Sequence, residues 1–283
     1  MKKALVFVFA AALATSAFAQ GNSTPELNFG NPQAHVKNTA GGGSGGNLIY
    51  HNGGKVIRNA HVVLIFWGSF PSGYSTSMQG FRNIFGTTAE FNTITQYTGI
   101  DDATGTTGAI ALSNLAGGPA DFFDTSTPPT NCTDAVVQAE VKKVIAAQGS
   151  TDYSAIYEVF IPSGSYSSSG TSTSCGGPNL AYCAYHSHYV DGAGKNVKYS
   201  IEPWAGCSGC QAFGNTSLDQ EHFVCHETRE AVTDALGNAW FDRRGNEADD
   251  KCAWTPAPFI GTGGFGYQYE WSNAASGCVA TTP

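Results

Sequence analysis

The sequence predicts an α/β fold: a single layered domain in which a mixed β-sheet is flanked by helices and the chain is tied by disulfides. Three observations carry this. Strand-like and helix-like segments alternate in the order strand, helix, strand, helix, strand, hairpin, helix. The segment His61-Val62-Val63-Leu64-Ile65-Phe66-Trp67 is apolar throughout, as a strand covered on both faces is. Eight cysteines follow a secretory-type leader, and an exported chain meets an oxidising compartment.

Residues 1–19 have the build of a signal peptide: Lys2 and Lys3, an apolar run, then Ala17-Phe18-Ala19 before a cleavage point at Gln20. Thr15 and Ser16 interrupt the run, which falls short of the roughly 20 residues a membrane span needs. The expected location is therefore secreted, extracellular or periplasmic. Residues 20–46 are rich in Gly, Ser and Asn and read as a flexible linker. The domain is expected over 47–283.

Within it, 61–67 is the central strand. Met78, Phe81, Ile84, Phe85, Phe91 and Ile94 recur at helical spacing over 76–97, with a break at Gly86. A strand is expected at 108–115, a helix at 133–148 with Val137, Val141 and Val144 inward, and a strand at 155–161. Segments 180–190 and 196–201 flank Asp191-Gly192-Ala193-Gly194 and predict a hairpin. A helix over 217–236 precedes a loop-rich tail.

Composition narrows the function. The 283 residues are 41% hydrophobic and 12% aromatic, which supplies a substantial core and excludes disorder along the whole chain. The net charge of −8, without any Lys/Arg cluster, argues against nucleic acid and anionic membranes as partners. The even cysteine count suggests complete pairing, with Cys175–Cys183, Cys207–Cys210 and Cys252–Cys278 as the nearest neighbours in sequence.

The segment with chemical content is His222-Phe223-Val224-Cys225-His226-Glu227-Thr228-Arg229-Glu230, a His-Glu-x-x-Glu core followed by Glu247-Ala248-Asp249-Asp250. At about 100° per residue, His222, His226, Glu230 and Thr233 share a stripe with Glu227 on its shoulder, while Val224, Ala231 and Val232 face away. Residues four apart on a helix project in parallel, so two can hold one metal ion while a neighbouring Glu accepts a proton from water. The zinc-peptidase signature carries a second histidine where this chain has Glu230. Further donors must come from elsewhere: Glu247, Asp250 or His186, the last paired with His188 on one strand face. One imidazole with carboxylates suits zinc, and also manganese or calcium. A polar stripe is equally what an ordinary surface helix shows, with Arg229 in an exposed ion pair and 242–247 as a structural calcium loop.

The run from Cys225 to Cys252, with His226-Glu227-x-x-Glu230-Ala231, Thr233-Asp234, Asn238-Ala239-Trp240-Phe241 and Glu247-Ala248-Asp249-Asp250-Lys251-Cys252, resembles the phosphate-induced (EXORDIUM-like) secreted proteins and their bacterial relatives. Tyr50-His51-Asn52-Gly53-Gly54, Cys183-Ala184-Tyr185-His186 and Gly261-Thr262-Gly263-Gly264 agree in order, so the resemblance spans about residues 48 to 270. It implies a secreted, disulfide-containing protein of the extracellular matrix, and by itself it specifies no reaction. The family pattern covers His186, His226, Glu227, Glu230, Glu247, Asp250 and Cys252. This chain departs from it at Ala235, where the family has proline, and at Cys225, where it has a small residue. Cys225 is thereby open to three roles: ligand, disulfide partner or buried thiol.

The expected function is a zincin-like metallohydrolase acting on an extracellular peptide or cell-wall polymer. One divalent ion, zinc first, would be held by His226 and Glu230 with Glu247, Asp250 or His186, and Glu227 would be the catalytic base. The rival is a non-catalytic matrix or carbohydrate-binding protein with a structural ion, its sugar platform formed by the aromatic tail 265–271.

Overall fold

The computed structural model describes residues 46–281, so the expected leader and all but the last residue of the expected linker lie outside the described residues. What is described is a mixed α/β structure with several sheets, four α-helices and three disulfides. The largest sheet has five strands: β1 (His61–Trp67), β2 (Phe122–Asp124), β3 (Ala155–Ile161), β4 (Tyr185–Val190) and β5 (Asn196–Pro203). Their spatial order is β4-β5-β3-β1-β2. The pairs β1/β2, β1/β3 and β3/β5 are parallel and β4/β5 is antiparallel, so the sheet is mixed and the hairpin is present. The helices are α1 (Tyr74–Phe85), α2 (Ala89–Asn92), α3 (Asp134–Gln148) and α4 (Thr216–Thr233).

Strand alternation sends successive side chains to opposite layers. Val62, Leu64 and Phe66 of β1 pack with Met78, Phe81 and Phe85 of α1 and with Val224 and Val232 of α4. Val63, Ile65 and Trp67 pack with Val137, Val141 and Val144 of α3. Arg82 ties α1 to the sheet, donating to both carboxylate oxygens of Asp121 at 3.0 and 2.9 Å and to the Val62 carbonyl at 2.6 Å. Gly86 caps α1 at the break and lets the chain approach closely, since a Cβ there would lie 2.1 Å from the Ser113 carbonyl oxygen. The chain resumes in α2, whose N-cap Thr88 accepts from Phe91 N–H at 3.2 Å.

Four expectations need correction. The strand expected at 108–115 is confined to Thr107–Ala109, because the Ala111 and Ser113 N–H groups donate to the carbonyls of Arg58 and Gly86 rather than to a ladder. The cysteines pair as Cys175–Cys207 and Cys183–Cys210, against expectation, and as Cys252–Cys278, in line with it, with Cys132 and Cys225 free and buried. The other two neighbour pairs do not form because Cys207 and Cys210 sit at the start and end of a 3₁₀ turn (Ser208–Cys210, capped by Cys207) and both reach back to the 175–183 segment. In the aromatic tail, Tyr267 and Trp271 are 0% and 6% exposed and fill the core, which leaves only Phe265 and Tyr269, both half-buried, as rings of the expected sugar platform that reach the surface.

The fourth correction concerns α4. Every residue from Asp219 to Thr233 is buried, including the stripe expected to face solvent. Three kinds of neighbour enclose it: β4 and β5 beneath, α1 alongside, and the strand Gly266–Tyr267 across it. Gly266 permits the last contact, since a Cβ there would lie 2.2 Å from the Leu218 carbonyl oxygen. Arg229 is consequently no surface residue. It forms ion pairs with Asp249 and with Glu270 (3.3 Å) and donates to the carbonyls of Glu90 (3.3 Å) and Gln268 (3.1 Å), all with its side chain fully buried.

Arg229→Ala would leave Asp249 and Glu270 buried without their cation, and urea denaturation should show a loss of about 3–5 kcal/mol. A loss below about 1 kcal/mol would mean that the surrounding polar groups compensate for the missing guanidinium.

Candidate metal centre

Helix α4 begins at Asn215, whose side chain accepts from the N–H groups of Ser217 and Leu218, and Asp219 in the first turn accepts from Ala212 and Phe213 N–H at 2.6 and 2.8 Å. It ends at Asp234, which accepts from Asn238 and Ala239 N–H and turns the chain back. The following loop is closed by Asp242, which accepts from Arg244 and Asn246 N–H and pairs with Lys251 at 2.8 Å. Those partners engage the Asp242 carboxylate within its own loop and fill the role that the calcium-loop alternative would have given to an ion.

The loop then delivers Glu247 and Asp250 beside α4. Three ties hold Asp250 there: its own N–H donates to Glu230 Oε1 at 3.0 Å, Asp249 pairs with Arg229, and Cys252 is bridged to Cys278. From the sheet side, His186 of β4 points to the same layer as α4, opposite Ser200 of β5.

These elements bring together five of the residues singled out in the sequence. His226 Nε2 lies 3.0 Å from Glu230 Oε2 and 3.6 Å from Asp250 Oδ1. His186 Nδ1 lies 3.1 Å from Glu227 Oε2 and 3.9 Å from Glu230 Oε2. Donors about 2.1 Å from one ion stand roughly 3–4 Å apart, so His226/Glu230/Asp250 and His186/Glu227/Glu230 each have the spacing of a ligand set, and each set converges within 4.8 Å. Glu227 Oε1 is buried with no hydrogen-bond partner, as expected of an oxygen that faces an ion or water. Glu247 belongs to neither group; its Oε2 stands 3.8 Å from Nε2 on the far edge of the His186 ring.

A residue the sequence did not flag completes the arrangement. Gln268 Oε1 lies 3.1 Å from His226 Nδ1, while Gln268 Nε2 donates to the Asp249 carbonyl at 2.6 Å, which fixes the amide orientation. Nδ1–H of His226 then donates to Gln268 and leaves Nε2 to face Glu230 and Asp250. Burial by itself would lower the pKa of His226; the Glu230 and Glu227 carboxylates reverse that and hold it well above the ordinary imidazole value. His222, one turn earlier, behaves oppositely: burial, aided by His226, drives its pKa down to about 3, so it is neutral and outside both groups. Cys225 faces the core, where burial pushes its thiol up to about 12; of its three roles the buried thiol is the one observed.

Beneath α4 the sheet presents two further carboxyls. Glu158 of β3 accepts from Thr228 Oγ1 at 2.7 Å, and Glu202 of β5 accepts from Gln220 Nε2 at 3.0 Å and Ser200 Oγ at 3.1 Å. Burial raises the pKa of Glu158 to about 8 and that of Glu202 well above its ordinary value, which favours the protonated form of both.

Comparison with protein-family models, with curated proteins and with solved structures found no match.

Two predictions follow from this geometry. Gln268→Leu should weaken divalent-metal binding about 10- to 100-fold in competition with a chelator, and Gln268→Glu, which keeps an acceptor for His226 Nδ1, should restore most of it. Equal affinities in all three proteins would remove the orienting role. For Glu158, the native state keeps a proton between its ordinary pKa of 4.5 and about 8 that the unfolded chain has released. Its contribution to stability is therefore full below that window and is lost as pH rises through it. Urea denaturation of Glu158→Gln beside the wild type should show that part of the slope missing in the variant.

Proposed function

We propose that the chain is an exported, zincin-like metal-dependent hydrolase, peptidase-like in mechanism, acting on extracellular or cell-envelope material. The observation that carries this reading is the convergence of His226, Glu230 and Asp250 around one point with Glu227 beside them. The ordered motifs between residues 48 and 270 support placing it with the phosphate-induced (EXORDIUM-like) secreted proteins, and the three disulfides fit an oxidising compartment. No helix among the described residues is long and apolar enough to cross a membrane.

A divalent ion held by His226, Glu230 and Asp250, with zinc the first choice, would supply Lewis acidity toward a water molecule and a substrate carbonyl. Glu227 takes the proton from the attacking water at Oε1, the oxygen without a hydrogen-bond partner, while Oε2 stays against His186. His186 thereby orients the Glu227 carboxylate and brings a ring nitrogen toward the charge that develops on the carbonyl oxygen. Gln268 keeps His226 in the tautomer that presents Nε2.

One observation favours a second reading, a non-catalytic matrix or carbohydrate-binding protein with a structural ion. The donors are at most 3% exposed, and structural sites are closed where catalytic ones keep a position open to substrate.

A panel of peptide and protein substrates separates the two. The hydrolase reading expects cleavage that a chelator stops and added metal restores, and a roughly 100- to 10,000-fold loss of turnover in Glu227→Gln with the ion at His226, Glu230 and Asp250 retained. Undiminished turnover in Glu227→Gln would remove the mechanism. A holoprotein that cleaves nothing while chelation lowers its melting temperature would establish the structural ion instead.

A further inference from the structure

The two donor groups share one residue. Glu230 Oε2 is the atom within 3.0 Å of His226 Nε2 and within 3.9 Å of His186 Nδ1, so it faces both imidazoles at once. Its other oxygen accepts the Asp250 N–H, which fixes the carboxylate in the orientation that presents Oε2 to the two rings. We infer that the centre holds two divalent cations bridged by Glu230, one completed by His226 and Asp250 and the other by His186 and Glu227. This deepens the metal-centred reading given above and rests on it.

Charge supports a pair over a single ion. Glu227, Glu230, Glu247 and Asp250 place four carboxylates together at no more than 3% exposure, and their ion pairs run to His186 and His226. Arg229, next in sequence to Glu230, is directed to Asp249 and Glu270. With both imidazoles neutral as ligands, a second divalent cation would offset more of the carboxylate charge gathered here than one ion does, and buried charge is costly unless compensated. The donor spacing supports it independently, since each imidazole lies within ligand-to-ligand distance of Glu230 and of one further carboxylate of its own group.

The remaining residues acquire definite places. Glu247 Oε2 lies 3.8 Å from His186 Nε2, near enough for an ion pair with the ring but beyond hydrogen-bond distance, whereas Gln268 hydrogen-bonds His226 Nδ1 at 3.1 Å. Glu227 binds through Oε2 and keeps Oε1 for the proton of the attacking water. Two adjacent cations suit a reaction in which attacking and leaving oxygens are both stabilised, and a carboxylate-rich set accepts manganese or iron as readily as zinc.

The test is metal stoichiometry with Mn²⁺ as the probe. Full-length mature protein, stripped and titrated with Mn²⁺, is expected to bind two ions per chain by elemental analysis and to give the paramagnetic resonance spectrum of a magnetically coupled pair. His186→Ala and His226→Ala should each retain one ion with the spectrum of isolated Mn²⁺, and Glu230→Ala should weaken both. One ion per chain in the wild type, lost in His226→Ala and kept in His186→Ala, would overturn the pair and preserve the single-ion hydrolase. Two ions without coupling would overturn the bridge, and none would overturn the metal-centred reading as well. Because the wild-type titration needs no substitution, a variant that fails to fold leaves the decision intact.

Discussion

A helix enclosed on all sides must have every polar side chain answered by a neighbour, and in this protein that requirement falls on α4. Its first turns are answered by the 212–213 backbone and by Glu202, its middle by Glu158 and His186, and its last turns by the loop that carries Asp249 and Asp250. Arg229 is the residue on which most of these constraints meet, since it joins α4 to that loop, to Glu270 and to the carbonyls of Glu90 and Gln268. Buried ions of this kind add little net stability over apolar residues of the same volume, but they make alternative placements of the loop costly. The donors of the candidate centre are positioned by that restriction.

Much of this was legible in the chain, and the limits have physical causes. The central strand, the interrupted helix, α3 and the hairpin follow from periodicity and turn residues, which act locally. His226 and Glu230 were legible because helical spacing puts residues four apart on one face. Whether that face is solvated is a different matter. Gly266 lies far along the chain from α4, and no local pattern announces that a missing Cβ there allows a strand to cross Leu218. Gln268 escaped notice for the same reason: an amide between two tyrosines in an apolar stretch has no signature, and its role arises from a contact made across the fold. Two of the three disulfides, Cys252–Cys278 being the exception, escaped because proximity in sequence is a poor guide when one short turn carries two cysteines to different partners.

The polar character of the sheet face under α4 bears on how such a centre can be sustained. Val62, Leu64 and Phe66 keep that face apolar under β1, whereas Glu158, Ser200, Glu202 and His186 make it polar toward β4. Burial favours the neutral form of two of those carboxyls, which lets them hydrogen-bond while adding less negative charge to a region already rich in it. The division leaves charge concentrated on the residues that converge on Glu230, while the layer behind them supplies rigidity.

The residues around the centre also differ in when the ribosome supplies them. His186 and α4 are made first, Asp250 and Cys252 follow, and Gln268 and Cys278 come last of these. A nascent or truncated chain ending before Gln268 therefore has the imidazoles and carboxylates without the amide that orients His226 or the bridge that closes the Asp250 loop. Since that bridge forms under oxidising conditions, the candidate donors reach this arrangement only once Gln268 has been made and Cys252 is bridged to Cys278. Any ion taken up there would thus be gripped only after those late-made residues are in place, an order imposed by the sequence itself.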